Sequence, residues 1–323
     1  MAGTVRNMLV TLALGVAHPA LAETQPTSFA SSAMPIPPAE QALPTIVADR
    51  PIVVPGAALD LEGPVYLRDG TLLFSDVQGG RVLRLDPAGQ ISTVTRLAGL
   101  MPGGMAIGPD GRLYVAAATA SGGGSVIAMA TDGTHRTTIV PERAGIAAND
   151  LVFDAHGGFY LTDARGTVGE ASGGVWYVAP RAAPVPVLRH LAVANGIALS
   201  PDGKNLWVGE FALGRLYRIG LKDATTPAPF QAVTAYHFTG PAPDSMRVDA
   251  QGRVYVCLYG QGRILIFAPT GLPIGQIVLP RRDQGRNLNL TSLAIRPGTG
   301  EIAVVASDGK PGGTASIFHA RIP

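Results

Sequence analysis

An all-β fold, a six-bladed β-propeller, is predicted by three observations. A strand-turn-strand phrase with a glycine at its turn recurs six times, at Gly70, Gly111, Gly157, Gly203, Gly252 and Gly300, with spacings of 41, 46, 46, 49 and 48 residues. Repeats of that period made of short alternating strands are the pattern of propeller blades. A second alternating phrase follows each first one: GRVLRLDP from Gly80, GSVIAMAT from Gly124, GGVWYVAP from Gly173, GRLYRIGL from Gly214, GRILIFAP from Gly262 and ASIFHARI from Ala315. Six such units use the chain from Pro51 to Pro323, so a single domain over residues 51–323 is expected, rich in strand and with little helix.

The residues before Pro51 read differently. Residues 1–22 carry one early positive charge at Arg6, an apolar run from Met8 to Ala17, and small residues at Ala20 and Ala22. This is the pattern of a secretory signal peptide cleaved after Ala22, and the apolar run is far shorter than a membrane span of roughly 20 residues. A periplasmic or secreted protein, with no membrane association after cleavage, is the expectation. Residues 23–50 are rich in Pro, Ala and Ser and read as a flexible leader outside the fold. The PIVVP stretch from Pro51 to Pro55 is the candidate strand to close the ring, by pairing with the blade that ends at Ile322.

Composition narrows the function classes. Of the 323 residues, 41 are Gly and 27 Pro beside a hydrophobic fraction of 46%, which suits many tight turns around a large core rather than disorder. A net charge of +2 with no basic run argues against a nucleic-acid partner. The one cysteine, Cys257, lies in a strand phrase, so it has no partner within the chain for a disulfide and reads as a buried thiol. No HExxH, no CxxC pair and no GxSxG occurs, which makes zinc-protease, zinc-ribbon and nucleophile-elbow chemistry poor candidates.

The chemistry-bearing position stands eight residues before each turn glycine, where the chain has Glu62, Gly103, Asn149, Asn195, Asp244 and Ser292. The innermost strand of every blade lines the propeller axis, so equivalent positions at its start form a ring. Carboxylates and carboxamides offering oxygen alone suit a hard divalent cation, Ca2+ first, and Asp150 and Ser245 stand next to two ring members as further donors. Aspartates inside the turn phrases, Asp110, Asp154, Asp202 and Asp249, are expected to cap their own turns instead.

The phrases LEGPVYL around Glu62, ANDLVFD around Asn149, VANGIALSPDGKNLWV around Asn195 and PDSMRVDAQGRVYV around Asp244 resemble the SMP-30/gluconolactonase/luciferin-regenerating-enzyme family of six-bladed propellers. The stretches GGFYLTDARG, YHFTG, LYGQGRILIF and GLPIGQIVLP are similar to its bacterial drug-responsive lactonase branch. The resemblance spans about residues 55 to 310. It implies one axial divalent cation held by Glu62, Asn195 and Asp244, with Asp150 and Ser245 at the site and substrate contact from Asn149. Gluconolactonase-type members usually have an arginine two residues before that asparagine. This chain has Ala147, which speaks against sugar lactones and toward a less polar one, with Met101, Pro102, Met105, Tyr236 and Phe238 as candidate apolar neighbours.

The expected function is therefore a metal-dependent lactonase that opens a cyclic ester to a hydroxy acid. Asp244 would be the general base and would also touch the metal, while Asn149 and Asp150 position the substrate. Ca2+ is the leading cation, with Mg2+, Mn2+ and Zn2+ as alternatives. The rival expectation is a periplasmic Ca2+-binding or ligand-binding propeller without turnover, since fold alone does not choose between them. The partner in the first case is a small lactone.

Overall fold

In the computed structural model, residues 33–57, 59–240, 242–309 and 312–322 are described. The expected signal peptide, and the leader as far as residue 32, lie outside them.

Six sheets follow one another along the chain, each antiparallel between its successive strands. Their first strands are Leu61–Tyr66, Leu100–Ile107, Ala148–Phe153, Ala194–Leu199, Met246–Val248 and Asn289–Ile295, and we number the blades 1 to 6 in that order. Each first strand touches that of the next blade, and Asn289–Ile295 touches Leu61–Tyr66, which closes a ring of inner strands. Among the described residues the only helical pieces are three short 3-10 turns.

The core is divided in the same way. Six buried apolar clusters each fill the space between two adjacent blades. Leu73 and Val82 of blade 1, for example, meet Met105, Leu113 and Val115 of blade 2. Tyr160 and Val175 of blade 3 meet Ile197, Leu206 and Val208 of blade 4. Strands that are buried on both faces, such as Leu72–Asp76 and Val254–Leu258, sit in the middle of their sheets and serve the clusters on either side.

The chain before Pro51 departs from expectation. Strand Asp49–Val53 pairs antiparallel with Ala315–Arg321 and completes blade 6, so PIVVP takes part in closing the ring. The three residues Thr45–Val47 also form a strand, parallel to Pro273–Val278 at the outer edge of blade 5. Upstream of that, the carboxylate of Glu40 is buried and bonded to the guanidinium of Arg263 and to the Tyr236 hydroxyl. The Met34 carbonyl accepts a hydrogen bond from Arg282 at 2.8 Å. The expectation that the leader lies outside the fold as far as Arg50 is corrected here. A buried guanidinium requires a counter-ion, and the arm supplies it. The arm joins two neighbouring blades through one continuous segment.

Candidate active site

A shared irregularity builds the site. In blade 1, Glu62 pairs with Ser75 and Val65 with Leu73, so three steps on the inner strand oppose two on its neighbour. The same bulge separates Pro102 from Met105, Ala148 from Leu151 and Ala194 from Ile197, and blade 6 has one between Leu290 and Ser292. A bulge re-aims side chains and ends regular pairing, and these stand at or beside the ring position in their blades.

Small residues let the inner strands approach. A methyl group on Gly196 would fall 2.3 Å from the Asp244 carbonyl oxygen, and one on Gly63 would fall 2.4 Å from that of Gly103. Backbone therefore meets backbone around the axis, and hydroxyls stitch blade to blade. Ser75 Oγ donates to the Gly103 carbonyl at 2.8 Å, and Thr291 Oγ1 to the Leu61 carbonyl at 2.6 Å.

Of the ring residues, Asn195 and Asp244 are buried, Ser292 is fully so, and Glu62 and Asn149 are half-buried. The Asn195 carboxamide faces the Asp244 carboxylate and works against the rise in its proton affinity, while among the described residues the Asn195 Oδ1 is buried without a partner, as is Ser292 Oγ. Glu62 Oε2 accepts the Gly63 N–H at 2.9 Å and the Ser245 hydroxyl at 3.4 Å. Ser245 thus joins two blades. Burial pushes the Glu62 carboxyl up to about 8, with the Gly63 N–H opposing and Asp150 adding to the rise. Burial also raises Asp244 well above the carboxylate range, and the charge of Glu62 raises it further. Glu62 and Asp244 are close enough to repel.

This arrangement fits a hard cation. Two mutually repelling carboxylates and an unpartnered amide oxygen form an oxygen-only donor set, the kind Ca2+ takes. Among the described residues, no three of His, Cys, Asp and Glu group as a metal cluster. The third member of the axial set is a carboxamide.

Asp150 is placed differently. Its Oδ2 accepts Arg247 Nη1 at 2.9 Å and its Oδ1 the Leu151 N–H at 2.9 Å, so both oxygens are engaged within the chain. Sequence reasoning did not single out Arg247, because one arginine in an alternating strand looks like a solvated charge. Beneath it, on the side of the inner strands away from the ring, lies a cavity of about 300 Å3 lined by Val65, Met105, Leu151, Ile197 and Arg247.

The mouth also carries residues the sequence did not reveal. The Tyr259 hydroxyl accepts Asn289 Nδ2 at 2.6 Å, and its ring meets Phe211 edge-on with centroids 5.9 Å apart. Burial, with Asp60 and Asp244, pushes this phenol up to about 12. Asp60 accepts the Gln78 amide at 2.8 Å with one oxygen, and its other oxygen is buried and unpaired among the described residues. Cys257 is buried as expected, and its thiol is held up by burial and then by Asp244.

Three of the expected apolar neighbours do not belong to the site. Tyr236 and Phe238 pack with Phe267 in the cluster between blades 4 and 5, where Tyr236 bonds Glu40. They lie on the outermost strand of blade 4 or just past its end, and aromatic side chains there fill the gap to the next blade. Met105 is buried between blades 1 and 2 and reaches only the lower cavity.

Comparison with known proteins accords with this geometry. Residues 61–287 match the SMP-30/Gluconolactonase/LRE-like region. The chain is 40% identical over 297 residues to the lactonase drp35 of Staphylococcus saprophyticus, covering 90% of this chain and 92% of that one. It is 38% identical over 303 residues to the lactonase drp35 of Staphylococcus aureus, covering 91% and 93%. Among solved structures, a gluconolactonase from Xanthomonas campestris superposes with a TM-score of 0.65 at 19% identity, over 87% of this chain and 98% of that one. The calcium-binding protein regucalcin from Agrobacterium tumefaciens gives 0.67 at 17%, over 87% and 97%. The structures support the fold, and the sequence matches reach further: the chain belongs to the SMP-30/gluconolactonase/LRE-like family.

Proposed function

We propose that this protein is a lactonase, a hydrolase of carboxylic ester bonds that opens a cyclic ester with water, and that it depends on a divalent cation, Ca2+ before Mg2+, Mn2+ or Zn2+. The reaction class is supported by family membership and by relatives that are lactonases. The observation that carries the cation is the buried Asn195 Oδ1, unpaired among the described residues, beside the Asp244 carboxyl, whose proton affinity is raised by burial and then by Glu62.

Glu62, Asn195 and Asp244 would hold the ion, with the Ser245 hydroxyl fixing the Glu62 carboxylate. When bound, such an ion supplies Lewis-acid polarisation of the lactone carbonyl and charge to offset the developing oxyanion. Asp244 acts as general base. In its ionised form the Asp244 carboxylate accepts a proton from the attacking water as the oxygen bonds to the carbonyl carbon. The ring C–O bond breaks, the leaving alkoxide takes that proton, and a hydroxy acid results. Asn149, half-buried on the neighbouring blade, orients the substrate. Ala147 offers no side-chain donor for sugar hydroxyls, which favours a less polar lactone. The signal read in residues 1–22 would place this activity in the periplasm or outside the cell.

The test is hydrolysis of dihydrocoumarin and aldonolactones before and after exhaustive chelation. Activity should vanish with the metal and return with Ca2+. Full turnover by rigorously metal-free protein would overturn the metal-dependent mechanism.

A further inference from the structure

Arg247 sits under the ring with its charge directed at one group. Its Nη1 donates to Asp150 Oδ2 at 2.9 Å and to the Met246 carbonyl at 2.7 Å, and its Nη2 is buried with no partner among the described residues. Asp150 is fully buried, and its second oxygen accepts the Leu151 N–H at 2.9 Å. That oxygen also lies 2.1 Å from where a methyl group on Gly104 would stand, so the carboxylate rests tightly on glycine backbone. Glu62 feels both charges of the pair, Asp150 opposing its ionisation and Arg247 favouring it. Below, the lower cavity offers the guanidinium mainly apolar walls, such as Leu151 and Ile197, and among the described residues no second carboxylate.

A guanidinium buried between an axial cation site and an apolar cavity would repel the cation unless its charge were met locally. We propose that Arg247 is a positioning residue that takes Asp150 as its counter-ion, so that the axial cation is left to Glu62, Asn195 and Asp244 above a neutral pair. This rests on the cation reading above, and it changes the part of Asp150 from ligand to counter-charge.

Calorimetric titration of Ca2+ into the chelated full-length protein decides it, with thermal unfolding alongside. In Asp150→Asn the guanidinium is uncompensated, and Ca2+ affinity should fall about tenfold or more. Adding Arg247→Met removes the offending charge, and the double variant should return to within about threefold of the parent. A merely structural loss would not be repaired by a second core substitution. A double variant as weak as Asp150→Asn makes Asp150 a ligand and overturns the proposal, as does an Asp150→Asn protein with unchanged affinity. Where Asp150→Asn fails to fold, the double variant against the parent is decisive, and a tenfold loss there also overturns it. A parent that binds none of Ca2+, Mg2+, Mn2+ or Zn2+ removes the cation reading itself, a failure distinct from the others because it precedes any substitution.

Discussion

Acidic residues stand at two levels of the propeller and do opposite things. In the hairpin turns, Asp154 Oδ1 accepts the N–H groups of His156 and Gly158, and Asp249 Oδ1 those of Gln251 and Arg253. Asp110 and Asp202 accept the N–H two residues on, and both are held below the usual carboxylate range. On the axis, Glu62, Asp150 and Asp244 are all pushed up, first of all by burial. A turn holds its carboxylate at the surface among N–H donors, whereas the converging inner strands bury theirs beside one another. Charge is stabilised at one level and stored at the other. An acidic residue in a repeat is therefore read by the groups its position faces.

The comparison is broken most directly at Asp244. Asp244→Asn keeps the shape and removes the base, and kcat for lactone opening should fall by about 10^2 to 10^4. Folding should be retained, since the substitution also removes a repelled, buried charge. Steady-state kinetics at saturating Ca2+ check this. A variant within a few-fold of the parent would take the general-base role from Asp244.

How much of this could be read beforehand depended on whether the signal was local. The turn glycines were legible because hairpins of this kind need a residue that adopts positive φ, and Gly70, Gly111, Gly157, Gly203, Gly252 and Gly300 all do. Counting back from them found Asn195 and Asp244. Three carboxylates escaped notice although a signal was present: Asp76, Asp163 and Glu210 close the second strands of blades 1, 3 and 4, six or seven residues after the turn glycine. Each is paired with an arginine a few residues on, Arg81, Arg165 or Arg215. Other features had no local signal. Arg247 meets Asp150 from 97 positions away, and Glu40 meets Arg263 from 223. Composition hid the arm as well, because a Pro- and Ala-rich stretch looks flexible until its few apolar and charged residues find receptors on blade 5. Tyr236 and Phe238 were misplaced because adjacency in sequence does not say which wall of a blade a residue faces.

The pH dependence of stability sharpens the comparison next, because the two levels carry opposite signs. A carboxyl raised on folding binds its proton more tightly in the native state. Its contribution is whole below the unfolded value and is lost as pH rises through the folded one. For Glu62 that window runs from the ordinary glutamate value of 4.5 to about 8, and Asp150 and Asp244 act in the same direction. The chelated protein should therefore lose Tm as pH climbs from about 5 to about 8, and saturating Ca2+ should flatten or reverse that slope, since a ligand of the ionised site favours the native state. Unfolding followed by circular dichroism across that range is sufficient. A flat profile for the metal-free protein would mean that the axial carboxylates are not under mutual stress.

The smallest effect is expected at the turns. Asp202 Oδ1 accepts the Lys204 N–H at 3.0 Å and the Ser200 hydroxyl at 2.5 Å, at an exposed corner. Its lowered proton affinity stabilises the fold above the unfolded value of 3.8, and that contribution fades as pH falls through the folded one, the reverse of the axial case. Asp202→Ala should cost about 0.5–1 kcal/mol, or about 1–4 °C in Tm, the range for one exposed hydrogen-bonded turn in a domain of this size. kcat/KM should not change, because the turn stands at the far end of the inner strand from Asn195 and touches no axial residue. A several-fold loss of activity would show that strain at the turn reaches the bulge that aims Asn195, and the two levels would then be mechanically coupled rather than separate uses of one residue type.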